Sequence, residues 1–329
     1  MQHRTLGADG PLVSAIGLGC MSFAGFYGHA DEDTSFATLD AAQEAGIDFL
    51  DTANVYGAGR SETLIGRWLA ANPDARVTIA TKGGIRRENG RRSFDNSADH
   101  LRGELEASLE RLGVSSVALY YVHRREPERP IEEVTETLAG FRDEGLIGGF
   151  GFSEIAPSSL RRAHAIHPVR AVQSEYSLWS REPDLGMVQA CRELGVAFVP
   201  FSPLARGMFS NEPLDVAALG ESDFRRGAPR FTEPNLSANM AKLDEFRALA
   251  RELGHAVPAL ALSWVLARGD HLVPIPGTRS PEHLRQWAGA AAVTLDAETL
   301  ARIDAVLPPG WAHGPRYSEA QAVGVERYC

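Results

Sequence analysis

Three predicted strands of the sequence each end in a polar residue that can exchange or steer a proton: Asp51, Lys82 and His123. The carboxyl ends of the strands in a parallel barrel lie on one face, and neighbouring strands are about 4.8 Å apart. Tyr56 stands on the loop after Asp51, close enough to bend back over the same face. We therefore expect Asp51, Tyr56, Lys82 and His123 to share one pocket.

This combination suits proton donation to a carbonyl group. A tyrosine has an unperturbed pKa of about 10, and a nearby ammonium group favours its phenolate. Lys82 would supply that ammonium, Asp51 would keep it protonated, and His123 would hydrogen-bond the oxygen that receives the proton. Each residue alone is more often structural, as a turn cap, a loop aromatic or a strand terminus. All four in register favour a site for carbonyl reduction.

Other chemistries lack their signatures in the sequence. The chain contains neither GxSxG nor HExxH, so it predicts neither a hydrolytic nucleophile nor a metal centre. Its three cysteines, Cys20, Cys191 and Cys329, form no CxxC pair and predict neither a disulfide framework nor a zinc cluster. A reducing compartment fits this cysteine usage best.

The composition argues against several classes of partner. The 329 residues are 44% hydrophobic and include 33 basic and 43 acidic side chains, a formal net charge of −10. A surface of this charge repels nucleic acids and anionic membranes. No segment has the length and apolar character of a membrane span, and the amino terminus lacks a secretory pattern. We expect a cytoplasmic protein without nucleic-acid or membrane partners, and the composition does not indicate its oligomeric state.

Short apolar runs alternate with longer amphipathic segments along most of the chain, which predicts parallel strands joined by helices. The predicted strands are 14–19, 49–51, 77–81, 117–122, 149–153, 171–175, 197–201 and 272–275. The predicted helices include 33–45, 61–70, 100–112, 131–144, 158–167 and 184–194, with a last helix at 296–306. Glycine caps are expected after four of them, at Gly46, Gly113, Gly145 and Gly195. About eight such units predict a (β/α)8 TIM barrel.

Two segments, 82–97 and 204–239, interrupt this repeat. Each follows a predicted strand and therefore belongs to the catalytic face of a barrel, although a plain surface excursion is the commoner reason for such a segment. No Pro- or Ser-rich linker divides the chain, which favours one domain over 1–329. Residues 308–329 form a C-terminal tail that either caps the barrel or is disordered.

The sequence resembles the aldo-keto reductase family. Asp51-Thr52-Ala53-Asn54-Val55-Tyr56-Gly57 is similar to its DTAxxYG motif, and Lys82 and His123 end segments similar to those that carry its lysine and histidine. Further similar segments are 17–22, 151–154, 172–181, 201–207 and 275–279. The variants at 153–154 and 176–181 look most like a bacterial, fungal and plant subgroup associated with reduction of aldehydes, ketones, pyridoxal and sugar-derived carbonyl compounds.

The resemblance implies a role for each residue of the pocket. Tyr56 would be the general acid, Lys82 would lower its pKa, Asp51 would orient and charge Lys82, and His123 would position the substrate carbonyl. The implied cofactor is NADPH, bound extended across the barrel mouth without a Rossmann domain. The implied cofactor contacts are Gly19, Cys20, Met21, Ser153, Gln173, Phe201, Ser202, Pro203, Leu204, Arg206, Gly207, Ile275, Gly277, Thr278, Arg279, His283, Gln286 and Trp287.

Parts of the cofactor can be assigned to parts of this set. Ser153 and Gln173 would hold the nicotinamide carboxamide, although Gln173 would equally suit a residue satisfied inside the barrel, and Phe201 would stack on the nicotinamide ring. The segment 202–207 would embrace the pyrophosphate, with Arg206 neutralising its charge.

The adenosine 2′-phosphate would lie at the start of the helix near Pro281, beside Arg279, which favours NADPH over NADH. Arg225, Arg226 and Arg230 would either close over the cofactor or be solvated. Gln286-Trp287 replaces the usual Glu-Asn of the family, so Trp287 either stacks on the adenine or packs.

The substrate is expected to be a small carbonyl compound. Aromatic residues at Phe23, Phe26, Tyr27 and Trp311 suggest a hydrophobic or sugar-like molecule. The cluster Arg86, Arg87, Arg91 and Arg92 would suit an anionic substrate, but such a cluster is more often a solvated loop. Two alternatives stay open. One is oxidation of an alcohol or sugar with NAD(P)+, and the other is a nicotinamide-sensing regulatory barrel, because potassium-channel β subunits resemble the same family.

Overall fold

The chain begins with an antiparallel hairpin of β1 (His3–Thr5) and β2 (Leu12–Ser14), which covers the barrel at the amino ends of its strands. The structure is a computed structural model that describes residues 1–88, 91–221 and 223–328. The remaining strands are β3 (Leu18–Gly19), β4 (Phe49–Asp51), β5 (Thr78–Gly83), β6 (Ile85–Glu88), β7 (Arg91–Phe94), β8 (Leu119–Val122), β9 (Phe150–Ser153), β10 (Ala171–Glu175) and β11 (Ala197–Phe201).

Seven of these strands form a single parallel sheet in the order β11-β10-β9-β8-β5-β4-β3. The predicted eighth strand lies between its two edges and closes the barrel. Phe198 pairs with Leu272, Phe201 with Ile275, and Gly19 with Gly277, all in parallel. The (β/α)8 barrel predicted from the sequence is therefore confirmed as a single-domain fold.

The eighth strand forms only isolated bridges because prolines interrupt its hydrogen bonding. Val273 and Ile275 donate their amides to β11, at Phe198 and Pro200. The backbone nitrogens that would face β3 belong to Pro274 and Pro276, and a proline nitrogen carries no hydrogen to donate. Only their carbonyl oxygens pair on that side, accepting from the amides of Gly17 and Gly19. The first predicted strand, 14–19, is wrong in extent, since Ser14 belongs to the hairpin and the barrel strand begins at Leu18.

The seven helices predicted with bounds agree with the structure to within about three residues, and a further helix begins at Pro281 as expected, whereas the helices at Asn235–Glu252 and Val257–Leu266 are not predicted. The helices are α1 (Glu32–Glu44), α2 (Arg60–Ala71), α3 (Ala98–Leu112), α4 (Ile131–Asp143), α5 (Pro157–Ile166), α6 (Met187–Leu194), α7 (Asn235–Glu252), α8 (Val257–Leu266), α9 (Pro281–Ala288) and α10 (Ala297–Val306). The glycines predicted to end helices, Gly46, Gly113, Gly145 and Gly195, all have φ between 68° and 79°. Helix α6 starts three residues later than predicted because Glu182–Leu185 forms a separate 3-10 turn.

The core has two layers, inside and outside the barrel wall. Inside, apolar side chains from the strands pack on those of the hairpin, with Phe49, Leu119, Val199 and Ile275 among them and Val13 below them. Outside, a larger apolar layer lies between the strands and the helices. No helix of the described residues has both the length and the apolar character needed to cross a membrane.

Both predicted excursions lie at the carboxyl ends of the strands, which we call the mouth. In the first, β6 and β7 form an antiparallel hairpin. In the second, 3-10 turns at Ala205–Gly207, Phe224–Gly227 and Pro229–Phe231 lead into α7, which begins at residue 235, before the predicted end of the irregular segment at 239.

The tail packs across the mouth as far as residue 328. The Trp311 indole donates to the Leu178 carbonyl at 2.6 Å, and its ring meets Trp179 edge-on with a centroid distance of 5.3 Å. Farther along, the Glu326 carboxylate accepts from the Ala156 amide at the start of α5 at 2.8 Å, and the Glu326 amide donates to the Glu154 carbonyl at 2.9 Å. These contacts favour the capping alternative for the tail.

Replacing Trp311 tests this packing. Trp311→Ala removes a side chain that is only 8% exposed, so we expect the free energy of unfolding to fall by about 3 kcal/mol. Urea titration followed by circular dichroism measures the change, with Leu185→Ala as a control at a side chain that is 74% exposed. The control should shift stability by no more than about 0.5 kcal/mol. Equal midpoints for Trp311→Ala and the wild type would show that the tail does not pack in solution.

Candidate active site

The four residues predicted to share a pocket come together around the ammonium group of Lys82. Lys82 lies on β5 with no exposed surface. Its Nζ donates to Asp51 Oδ1 at the end of β4, to the Thr52 carbonyl at 2.8 Å, and to Tyr56 Oη at 3.3 Å. All three donors of the ammonium thus have oxygen partners, and Tyr56 bends back from its loop as expected.

Parallel register places these residues at the carboxyl ends of neighbouring strands, each two residues nearer the mouth than the position opposite the one before it. Asp51 pairs with Ala80 across β4 and β5, and Lys82 pairs with Tyr121 across β5 and β8. His123 follows β8 directly and donates its amide to the Gly83 carbonyl at 2.8 Å. Its ring meets the Tyr56 ring edge-on, with centroids 5.8 Å apart and an interplanar angle of 85°. Tyr56 and His123 therefore face the same volume at the mouth.

Burial and charge act in opposite directions on the titration of this group. Burial raises the pKa of Tyr56 above its ordinary value, and the nearby Lys82 ammonium offsets only part of that rise. Burial alone would lower the pKa of Lys82, but Asp51 and Tyr56 more than offset it, so the pKa of Lys82 is raised. Lys82 therefore stays protonated and Tyr56 keeps its proton at neutral pH. The expected lowering of the pKa of Tyr56 by Lys82 is present, but burial outweighs it.

Gln173 on β10 belongs to the same network. Its Nε2 donates to Asp51 Oδ2 at 2.8 Å, so both carboxylate oxygens of Asp51 are engaged within the barrel. Burial raises the pKa of Asp51, while the ammonium of Lys82 and the amide of Gln173 counteract part of the rise. Of the two possibilities for Gln173, the structure therefore shows a side chain whose amide is hydrogen-bonded inside the barrel. Ser153, next to it in register on β9, accepts from Arg124 Nη1 at 3.0 Å and keeps its own hydroxyl proton to donate.

Backbone strain marks the mouth independently of the side chains. Among the described residues, five non-glycine residues have φ in the left-handed region: Ala58, Glu154, Ser202, Ala205 and Arg206. All five follow the carboxyl ends of barrel strands, and three lie in the single loop after β11. Such conformations cost about 1–3 kcal/mol each and cluster at ligand-binding sites. Left-handed residues in a turn also aim successive backbone amides into one concavity, which suits an anion.

Arg206 in this loop is bound to one carboxylate and one backbone carbonyl and is not exposed to the mouth. Its Nη2 donates to Glu175 Oε2 at 2.6 Å, and its Nη1 donates to the Arg316 carbonyl at 3.1 Å. Arg316, from the tail, bridges Glu154 at 2.5 Å and Glu175 at 3.4 Å. The two glutamates and two arginines thus form one buried ion-pair network. Sequence reasoning did not find this network, because Arg316 lies 162 residues from Glu154 along the chain.

Most of the predicted cofactor contacts lie at the carboxyl ends of β3, β11 and the eighth strand, and we call this set the strip. Gly19, Cys20 and Met21 lead from β3 into a 3-10 turn, and Phe201 ends β11 with its ring half-buried. Gly277 lies beside Gly19, where an added Cβ would come within 2.9 Å of the Gly19 carbonyl oxygen. Ser202, Leu204 and Gly207 after β11 and Arg279 after the eighth strand are half-buried, whereas Pro203, Ile275 and Thr278 are buried.

The start of α9 presents hydrogen-bond donors to the outer end of the strip. Ser280 caps the helix by accepting from the His283 amide at 3.2 Å. Arg279 is half-buried beside it and donates to the Tyr27 carbonyl. Gln286 and His283 are exposed, whereas Trp287 is 1% exposed and packs in the outer core. Of the two possibilities for Trp287, the structure therefore shows packing.

The residues expected to contact the substrate differ in their exposure. Phe26 is 37% exposed and packs against Tyr27 and Phe224 at the mouth, whereas Phe23 is fully buried. Arg86 is ion-paired with Asp95 at 3.1 Å, and Arg92 donates to the Val323 carbonyl of the tail at 2.7 Å. The side chains of Arg87 and Arg91 lie outside the described residues.

Comparison with known proteins agrees with this geometry. The model of the aldo/keto reductase family matches residues 15–308. A Glycine max protein named probable aldo-keto reductase 1 is 40% identical over 96% of this chain and 92% of its own length. A Schizosaccharomyces pombe protein named aldo-keto reductase yakc [NADP(+)] is 36% identical over 95% of this chain and 94% of its own.

Solved structures agree as well. A glycerol dehydrogenase from Gluconobacter oxydans superposes with a TM-score of 0.84 at 28% identity, covering 93% of this chain and 94% of its own. An aldo-keto reductase from Bacillus halodurans in its holo form superposes with a TM-score of 0.77 at 27% identity, covering 98% of this chain and 99% of its own. With the resemblance found in the sequence thus confirmed over nearly its whole length, the chain belongs to the aldo-keto reductase family.

Proposed function

We propose that the protein reduces an aldehyde or ketone to the alcohol with NADPH, using Tyr56 as the general acid. The observation that carries this proposal is the buried contact between Lys82 and Tyr56 Oη at 3.3 Å, with Asp51 on the other side of the ammonium. This arrangement holds a phenol proton at the mouth beside a cation that stabilises the phenolate left behind.

The strip at the mouth fits a nicotinamide dinucleotide. The Ser153 hydroxyl is free to donate to the nicotinamide carboxamide, and Phe201 offers a ring for stacking. The left-handed loop after β11 offers backbone amides to the pyrophosphate, a role for which Arg206 is less suited because Glu175 already engages it. Arg279, Thr278 and the start of α9 suit the 2′-phosphate. The yeast relative named with NADP(+) supports this choice.

Each member of the network has a separate part in the reaction. NADPH, when bound, supplies the hydride. His123 orients the carbonyl oxygen toward Tyr56, whose Oη gives it the proton. Lys82 stabilises the resulting phenolate, and Asp51 holds Lys82 charged and in place, with Gln173 fixing the carboxylate. Low solvent access strengthens each of these charge interactions.

The reverse reaction, oxidation of an alcohol or sugar with NADP+, is a second candidate. The similarity to a structure described as a glycerol dehydrogenase favours it. In that direction the Tyr56 phenolate would accept the hydroxyl proton, and Lys82 would stabilise the phenolate before the reaction instead of after it.

The first prediction concerns the acid. Tyr56→Phe removes the proton donor while retaining the ring, so we expect turnover to fall by about 10²–10⁴-fold with little change in NADPH affinity. The measurement is loss of NADPH absorbance with aromatic aldehydes, small dicarbonyls, pyridoxal and keto-sugars, alongside NADPH titration by fluorescence. Wild-type rates in Tyr56→Phe would exclude Tyr56 as the acid. Tight NADPH binding without turnover on any compound would instead favour a nicotinamide-sensing barrel.

A second prediction concerns pH. Reduction requires protonated Tyr56, whose pKa lies above its ordinary value of 10.0, so the rate of reduction should be constant from about pH 6 to 9. Oxidation requires the phenolate, so its rate should rise about tenfold per pH unit over the same range. Lys82→Met removes the stabilising cation and should move this rise to higher pH, whereas Lys82→Arg should move it less. An oxidation rate independent of pH in the wild type would contradict the role of Tyr56.

A third prediction concerns the proposed binding site for the 2′-phosphate at Arg279. Arg279→Ala should weaken NADPH by about tenfold or more, and NADH much less, because only NADPH carries the 2′-phosphate. Dissociation constants for both nucleotides, measured by calorimetry, give the comparison. Arg285→Ala serves as the matched control, since Arg285 lies on α9 with a side chain that is 61% exposed. Equal weakening of both nucleotides by Arg279→Ala would remove the argument for NADPH.

A further inference from the structure

Arg124 follows His123 and lies at the mouth beside the catalytic group. Its Nη1 donates to the His123 carbonyl at 2.6 Å and to Ser153 Oγ at 3.0 Å. Ser153 pairs in register with Gln173, which contacts Asp51. The Arg124 guanidinium is therefore held at the end of the barrel where the Tyr56 phenol is found.

The charge of Arg124 is not balanced by a carboxylate. Among the described residues, the neighbouring arginines of the mouth are ion-paired: Arg206 with Glu175, Arg225 with Asp223, and Arg316 with Glu154. Arg230 is enclosed by the oxygens of Trp179, Ser180 and Gly314. Arg124 forms no salt bridge within the described part of the chain. Its hydrogen bonds there are donated by Nη1 to uncharged oxygens.

The guanidinium is also close enough to act on charges that develop in the site. It is one of the groups that favour the phenolate of Tyr56, after Lys82. It helps to hold the pKa of Glu154 below its usual range, although burial opposes this effect and Arg316 contributes more. The Glu154 carboxylate itself is occupied by Arg316 and by the Glu175 amide. A cation that is half-buried and not neutralised selects for an anion.

We propose that Arg124 binds an anionic group of the substrate, so that the favoured carbonyl compounds carry a carboxylate or a phosphate close to the reacting carbon. This inference rests on the proposed reduction and adds its substrate class. The protein carries a net charge of −10, which disfavours the approach of anions in general. A local guanidinium at the reaction centre compensates for that repulsion and offers a planar set of donors that matches either anion.

The test compares charged substrates with neutral analogues that carry the same reacting aldehyde. The pairs are 4-carboxybenzaldehyde with methyl 4-formylbenzoate, and glyceraldehyde 3-phosphate with glyceraldehyde. For each pair, kcat and KM are measured with NADPH for the wild type, Arg124→Gln and Arg124→Lys. Arg86→Gln is the matched control, because Arg86 also lies at the mouth but is paired with Asp95.

We expect the wild type to prefer the charged member of at least one pair by about tenfold or more in kcat/KM. Arg124→Gln should remove most of that preference, chiefly by raising KM for the charged substrate. Arg124→Lys should retain part of the preference, and Arg86→Gln should retain all of it. Preference in the first pair identifies a carboxylate and preference in the second a phosphate. The proposal is overturned if the wild type has no preference, or if Arg124→Gln lowers both members of a pair equally, as a purely structural effect through Ser153 would.

A binding measurement separates this proposal from the proposed reaction. Calorimetric titration of 4-(hydroxymethyl)benzoate and benzyl alcohol into the protein with NADP+ requires no turnover. If no carbonyl compound is reduced but the carboxylate binds more tightly in the wild type than in Arg124→Gln, the reaction is wrong and the anion site stands. Equal affinities in the two proteins would overturn the anion site whether or not reduction occurs.

Discussion

An ammonium group can be buried at the centre of a barrel only if each of its protons has an oxygen partner and its charge has a counter-ion. Removing an ion from water costs several kcal/mol, and a partly satisfied ion is worse than none. Lys82 meets this condition through Asp51, the Thr52 carbonyl and Tyr56. Tyr56, the proposed general acid, is thus one of the three partners that stabilise the buried lysine, so the position of its phenol is tied to the burial of Lys82.

The same constraint operates at the mouth on a larger scale. Glu154 directly follows β9 and Glu175 ends the adjacent β10, and both are almost fully buried, which two carboxylates tolerate only with cations beside them. Arg206 comes from the loop after β11 and Arg316 from the tail, so the network joins three parts of the chain. The rings of Tyr317 and Phe224 lie against Arg206, at 4.8 and 5.2 Å. The tail is consequently part of the wall of the mouth, and its arginine replaces solvent for both glutamates.

The sequence predicts the barrel and the meeting of Asp51, Tyr56, Lys82 and His123 because both depend on local patterns. Apolar runs and glycine caps locate the strands and helices, and the parallel register then brings Asp51, Lys82 and His123 together at the carboxyl ends of neighbouring strands. The eighth strand is predicted in position but not in pairing, since its prolines remove donors on one side. The partners of Arg206 are not predictable, because Arg316 and the two glutamates meet only after the tail has folded over the barrel. Burial is equally non-local, and for this reason the raised pKa of Tyr56 was not expected from the sequence.

Charge distribution connects these observations to selectivity. The chain has a net charge of −10, yet its mouth contains several arginines, most of which neutralise buried carboxylates or bind carbonyl oxygens. The positive charge available to a ligand is therefore only the part that internal ion pairs leave unneutralised. Counting arginines in the sequence overestimates the attraction for anions in the loop of Arg86 and Arg92, whose guanidiniums have partners within the chain. It underestimates the attraction at Arg124, whose guanidinium has no carboxylate partner among the described residues and bonds there only through Nη1.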